Sequence, residues 1–249
     1  MYDMSSDSIT VSIVSHGQGR LTAALLEDLA RCPSVSAVIL TLNIPEDDIL
    51  CPEQLRSRLR LIRNGHPIGF GANHNQAFRF CETKLFAVLN PDIRLANDPF
   101  PELVIALKKT HGGVIAPTVR YPDGGLEDSA RHFPTVPSLL RKLMGLGDGR
   151  VVIKGAEPQD VDWTAGMFLL FPTRVFSELN GFDEGFFLYY EDVDICTRLW
   201  KSGERVILHP GVVVIHAAQR ASRRNLRYMK WHLTSMARYL GKYSLRLPR

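Results

Sequence analysis

The sequence predicts an α/β protein: a mixed, mostly parallel sheet flanked by helices. Three observations carry that prediction. Through the first 110 residues, apolar runs of strand length alternate with stretches of helical periodicity, as expected when helices cross over between parallel strands. The 249 residues suffice to bury a substantial core in one large domain or two small ones. A composition of 45% hydrophobic and 22% charged residues excludes a disordered chain, a collagen-like repeat and a disulfide mini-scaffold.

Residues 9–15 alternate as a strand does, and Leu21, Leu25, Leu26 and Leu29 recur at helical spacing over residues 21–31. Residues 35–42 and 59–63 read as a second and a third strand, residues 72–81 as a helix, and residues 85–89 as a fourth strand. Beyond Lys109 the rhythm is less regular. Residues 113–119 and 163–171 are strand candidates around a long polar stretch with Pro and Gly, so the second half is built onto the first. Residues 131–149 mix Pro134, Pro137, Leu139, Leu140 and Met144 with Arg141 and Lys142. That suits either a partly apolar lid or a short helix packed on the body, the packed arrangement being expected.

The formal charge of +4 is unevenly spread: residues 205–249 hold ten Lys or Arg and no Asp or Glu. An acidic body thus carries a basic end, suited to phosphates, nucleic acid or a membrane surface. Cys32, Cys51, Cys81 and Cys196 lack CxxC or metal-ligand spacing, and no signal peptide or long apolar span accompanies them. A reduced, cytoplasmic compartment follows.

In open sheets of this kind, ligands collect beyond the carboxyl ends of the strands. Asp92 lies just past the apolar run 85–89, in an Asn-Pro-Asp turn that either meets a ligand or is simple Asx-type turn chemistry. His216 ends the run Val212-Val-Val-Ile215 and is either a hydrogen-bonded structural residue or, with Asp92, a holder of a divalent ion. Arg220 follows, either a hydrogen-bond donor to a phosphate or part of a solvated basic helix start. Four aromatic residues lead into Glu191, Asp192 and Asp194 at the start of a helix. Capping accounts for one acid there; crowding of three in a partly dry site raises a carboxylate's proton affinity and makes a general base. The Gly-rich turn 64–75 opens a helix and is placed to bring backbone amides to an anion, although it lacks a P-loop Lys.

Taken in order, Ser12-Ile-Val-Ser15, the turn 64–75, Leu89-Asn-Pro-Asp-Ile93, Ala165-Gly166, Gly181-Phe-Asp-Glu184, residues 187–198 and Val214-Ile-His216 resemble glycosyltransferase family 2, in its bacterial rhamnosyltransferase-like branch. The resemblance spans residues 11–222. It implies a GT-A fold, Rossmann-like in its nucleotide-binding half, and inversion at the anomeric carbon. The expected organisation is one domain over residues 1–222, with a nucleotide-binding half at 8–110 and an acceptor-side half at 111–222, followed by a basic amphipathic helix at 223–249. By the same resemblance Asp192 is the catalytic base and Glu191 its support, while Asp92 and His216 hold Mg2+ or Mn2+. The nucleotide is expected near Ser15, Thr41, Asn64, Asn75 and Asn90, the sugar near Ala165 and Gly166, and the diphosphate near Arg220. The chain departs from the pattern in having Thr41-Leu42-Asn43 where many relatives carry Asp-Asn, and Asn90 in place of the first acid of a DxD motif.

The donor implied is a nucleotide sugar, dTDP-L-rhamnose above others, and the acceptor a bacterial surface glycan or its lipid-linked precursor. Leu226, Met229, Leu233, Met236 and Leu240 recur at helical spacing among Arg227, Lys230, Arg238 and Lys242. Such a helix either rests on an anionic membrane at the inner face or packs on the domain with its charges in water. Two other readings are a nucleotidyltransferase, for which Ser15-His-Gly-Gln-Gly-Arg20 is only a loose match, and a nucleic-acid-binding surface. The latter is not expected, because it leaves the acids at 191–194 without a role.

Overall fold

The structure, a computed structural model, describes residues 7–146, 149–217, 226–243 and 247–248. The first half alternates as the sequence predicts: β1 (Ile9–Ser15), α1 (Gly19–Leu29), β2 (Val35–Leu42), the single turn α2 (Glu53–Arg56), β3 (Leu59–Arg63), α3 (Phe70–Phe78) and β4 (Leu85–Leu89). These four strands pair in parallel in the order β3-β2-β1-β4. All of β1 and β4 is buried, because the crossover helices cover both faces. Their carboxyl ends therefore open together on one edge of the sheet.

The second half extends the same sheet rather than making its own. Two-residue β5 (Ile93–Arg94) and α4 (Phe100–Thr110) lead to β6 (Gly112–Arg120), and then β7 (Ala130–Arg131), α5 (Val136–Leu143), β8 (Gln159–Asp160) and β9 (Trp163–Thr164) follow. Next come β10 (Phe168–Pro172), α6 (Thr173–Glu178), α7 (Glu191–Lys201), the long β11 (Arg205–His216) and α8 (Leu226–Tyr243). The sheet continues β4-β10-β6-β11-β5, with β10 antiparallel to both neighbours and β6 parallel to β11; β8 also pairs with β11, and β7 with β9 apart from the main sheet.

One expected element is corrected. The apolar run 163–171 is not a single strand: β9 and β10 are separated at residues 165–167, where Ala165 N–H donates to Ser129 O and Gly166 N–H turns toward α7. Residues 131–149 contain α5, which starts with a capping box at Thr135 and Ser138 and leaves Val136, Leu140 and Met144 exposed. The C-terminal helix is packed on one face only. Tyr239 and Tyr243 bury against Phe186, Tyr190 and Val193, while Leu226, Met229 and Leu233 stay exposed.

Candidate active site

The strand pairing brings Asp92 and His216 together. β5 runs antiparallel to the end of β11, with His216 opposite Ile93, and Ala217 N–H donates to Asp92 O at 2.8 Å. The His216 Nε2 lies 3.0 Å from Asp92 Oδ2. On the other ring nitrogen, Nδ1 lies 2.6 Å from Glu127 Oε2. Glu127 is set there because the chain after β6 turns at residues 121–125 and folds back, its N–H donating to Val119 O at 2.9 Å, and β6 is the parallel neighbour of β11. Burial opposes charge on His216, but the bonds to Asp92 and Glu127 outweigh it and raise the imidazole to about 9. The other oxygen of Asp92, Oδ1, is buried with no hydrogen-bond partner among the described residues.

A divalent cation fits this arrangement. An orphaned carboxylate oxygen beside an imidazole nitrogen is a mixed O/N donor set of the kind Mg2+ and Mn2+ accept. Among the described residues no group of three or more His, Cys, Asp or Glu is placed to hold a metal. Asp92 and His216 are the two side chains here that could serve such an ion as ligands.

At the start of α7 the acids are held differently. Tyr189 and Tyr190 take up left-handed conformations, with φ of 69° and 67°, a state that costs non-glycine residues of the order of 1 kcal/mol or more each. The two tyrosines turn the chain so that Glu191 and Asp192 open the helix beside its free N–H groups. Asp192 Oδ2 accepts from Gly166 N–H at 3.1 Å and Oδ1 from Val193 N–H at 2.8 Å. Burial raises the proton affinity of Asp192 against those bonds. Burial, then the neighbouring Asp192 charge, raises Glu191 further, and its Oε2 is buried without a partner among the described residues. Both acids of the pair are therefore pushed up by burial, Glu191 further than Asp192. Asp194 plays neither part. It is buried against Arg198 at 2.7 Å, Lys242 at 2.6 Å and Tyr243 at 2.8 Å, and ties α8 to the body.

Two cavities adjoin. One, about 470 Å3, opens beyond β1, β2 and β4 and is lined by His16, Asn43, Phe70, Asn90, Asp92 and Trp231 among others. The second, about 350 Å3, is lined by Arg131, Lys142, Trp163, Tyr190, Asp192 and His232 among others. Gly166 stands between them: a Cβ there would come within 3.3 Å of the Phe70 ring and 3.6 Å of Asp192 Cβ. Helix α8 touches both, through Trp231 in the first and His232 in the second.

The sequence-predicted nucleotide contacts are distributed unevenly around this space. Asn90 lines the first cavity. Ser15 and Thr41 are fully buried behind it, Ser15 donating to Glu46 at 2.9 Å. Asn64 is one step back, donating to Asn43 at 3.0 Å and Asn73 at 2.7 Å, and Asn43 is in turn occupied by Ile68 N–H and C=O. Asn75 faces another depression, where its amide clamps the Phe182 backbone. Ala165 and Gly166 sit at the junction of the cavities, and Arg220 lies outside the described residues. The glycines of the turn 64–75 are also explained by packing: a Cβ at Gly69 would lie 2.8 Å from Phe187 O and one at Gly71 2.6 Å from Phe182 Cβ. Sequence reasoning missed Glu127, which sits in a Gly- and Asp-rich turn that looks like surface, and it missed Phe70 and Trp231 as cavity walls.

Residues 50–167 match the family model described as Glycosyl transferase family 2. Across 249 aligned residues the chain is 32% identical to the rhamnosyltransferase WbbL of Escherichia coli, covering 94% of this chain and 93% of that protein. It is 32% identical over 142 residues to the N-acetylglucosaminyl-diphospho-decaprenol L-rhamnosyltransferase of Mycobacterium tuberculosis, covering 52% of this chain and 45% of that one. Among solved structures it aligns with GalNAc-T7 bound to UDP, GalNAc and Mn2+, at TM-score 0.67 and 18% identity over 90% of this chain and 46% of that one. The mannosyltransferase PcManGT of Pyrobaculum calidifontis, in complex with GDP-Man and Mn2+, aligns at TM-score 0.64 and 16% identity over 94% of this chain and 63% of that one. At those identities the likeness is one of fold.

Proposed function

The chain belongs to glycosyltransferase family 2 and has the GT-A fold, and from that premise we propose that it moves L-rhamnose from dTDP-rhamnose, with inversion, onto a hydroxyl of a bacterial surface glycan or its lipid-linked precursor. The observation that carries this reading is the junction at Gly166, which sets Asp192, desolvated and without a bonded cation among the described residues, in one cavity against a neighbouring cavity that reaches Asp92, the carboxylate bonded to His216. Direct displacement needs those two things at opposite ends of the donor sugar. Asp192 takes the proton of the acceptor hydroxyl as its oxygen bonds to the anomeric carbon, and the bond from that carbon to the diphosphate breaks on the far side. Asp92 and His216 are the residues that would hold Mg2+ or Mn2+. The bound ion supplies neutralisation of the charge that develops on the leaving diphosphate. Glu191, pushed up further by burial and by the Asp192 charge, positions the acceptor hydroxyl or supports the base.

The acceptor side supports a membrane-borne substrate. No helix among the described residues is long and apolar enough to cross a membrane. Instead α5 and α8, two walls of the 350 Å3 cavity, each present an exposed apolar stripe: Val136, Leu140 and Met144 on one, and Leu226, Met229 and Leu233 on the other. Arg141 and Lys142 accompany the first stripe, Arg227 and Lys230 the second, and neither helix contains an acidic residue. Apolar stripes bordered by basic residues suit the anionic inner face of a membrane, with the enzyme peripheral and cytoplasmic. Nucleic acid is disfavoured, since Arg238 and Lys242 of the same basic end are taken up by Asp183 and Asp194.

The deciding experiment is to supply dTDP-rhamnose with a prenyl-diphosphate-linked N-acetylglucosamine and analyse the products. A deoxyhexose added to the acceptor with inverted configuration and free dTDP is the expected result. Transfer only from other nucleotide sugars would overturn the donor; pyrophosphate in place of a nucleoside diphosphate would indicate nucleotidyl transfer instead.

A further inference from the structure

We propose that Glu127 is a positioning residue for the cation site: it fixes the tautomer and ring plane of His216 so that Nε2 is presented beside Asp92 as a ligand. The inference rests on the reading of Asp92 and His216 as metal holders. Its basis is geometric. Imidazole offers two nitrogens, and only the one without a proton can coordinate. Glu127 Oε2, 2.6 Å from Nδ1, holds the proton on that nitrogen, so the proton a cation would displace is the one Nε2 shares with the Asp92 carboxylate 3.0 Å away. The three side chains are only 14%, 10% and 13% exposed for Glu127, His216 and Asp92, so water does not substitute for the carboxylate.

Glu127 has no other assignment. Its side chain makes no bond to an Arg or Lys among the described residues, so it is not half of a surface ion pair. Its loop is held by the backbone, through Glu127 N–H to Val119 O and Ser129 N–H to Glu127 O, so the carboxylate is not needed to close the turn. A carboxylate behind a coordinating histidine raises the basicity of the ring and holds it in place, and its loss typically costs 10–100-fold in metal affinity.

The experiment is a titration of the full chain with Mn2+, followed by electron paramagnetic resonance, with and without dTDP. Glu127→Ala is expected to weaken Mn2+ binding by about 10–100-fold, and Glu127→Gln, whose amide oxygen still accepts from Nδ1, to recover part of that loss. Nucleotide binding without metal should be unchanged in both, and the melting temperatures should show both folded. Equal Mn2+ affinity in Glu127→Ala and the parent would overturn the proposal, as would a loss in Glu127→Ala that Glu127→Gln does not recover at all. Asp92→Ala and His216→Ala separate the two readings: if they abolish binding and Glu127→Ala does not, only the role of Glu127 falls. If neither affects Mn2+, the metal reading falls and the role of Glu127 with it.

Discussion

Asp92 and Glu127 share one imidazole between them, whereas Glu191 and Asp192 are adjacent in the first turn of α7 with no cation bonded to either among the described residues. Both places use buried carboxylates, yet the consequences run in opposite directions. Beside His216 the negative charges are satisfied and the imidazole is pushed up, so the region is a ready receiver of positive charge. At the start of α7 burial pushes both carboxylates up, and the charge of Asp192 pushes Glu191 further, so the region is a receiver of protons. Carboxylates define a function only together with what faces them.

The largest effect should come from breaking the proton end. Asp192→Asn keeps an oxygen for Gly166 N–H, so the fold and donor binding should survive, while transfer falls about a thousandfold, within the range general bases contribute. Rates from single-turnover transfer, set beside donor affinity by calorimetry, check this; transfer within tenfold of the parent would remove Asp192 as the base.

Asp194, two residues along the same helix, sharpens the comparison because it has cations and no cavity. Replacing it by Ala leaves Arg198 and Lys242 without their buried partner and should cost about 3 kcal/mol of stability. The melting temperature should drop by about 2–4 °C for each kcal/mol lost, and α8 should become more susceptible to proteolysis. A protein that melts as the parent does would mean the latch is not held by Asp194.

Asp92→Ala probes the other end. Losing the orphaned Oδ1 should reduce kcat/KM by about a hundredfold and abolish any stimulation by added Mn2+, whereas a chelator should produce the same loss in the parent. Equal activity with and without chelator in both proteins would leave His216 itself as the cation at the leaving group.

Much of this was legible in the chain. Strands β1 to β4 are readable to the residue, from the alternating β1 and the partly exposed β3 to the wholly apolar β4, and Asp92 follows β4, His216 ends β11 and Asp192 lies in the first turn of α7. What failed to show were relations that depend on contact across the fold. Glu127 meets His216 across 89 positions, through strand pairing that no local pattern encodes. The glycines at 69 and 71 read as an anion loop because small residues look alike whether a ligand or a neighbouring backbone comes close. Ser15 and Asn75, expected near the nucleotide, are bonded to Glu46 and to the Phe182 backbone: at the end of a buried strand or on a helix, a polar residue is as often used by the protein's own loops as by a ligand.

The smallest and most diagnostic effect concerns Glu191. Burial, and then the charge of Asp192, raises its proton affinity above the ordinary 4.5, so the folded state keeps a proton that the unfolded chain releases. Where the folded state binds more protons, stability falls as pH rises, and the loss begins above the unfolded value. Glu191→Gln removes the ionisation while keeping the shape. The variant should therefore melt above the parent at about pH 8, with the difference closing as pH approaches 4.5, and its pH–rate profile should lose the limb that reports Glu191 while keeping that of Asp192. A difference in melting temperature that does not vary with pH would show that Glu191 is not held protonated by the fold, and the contrast between the two acidic regions would then rest on Asp192 alone.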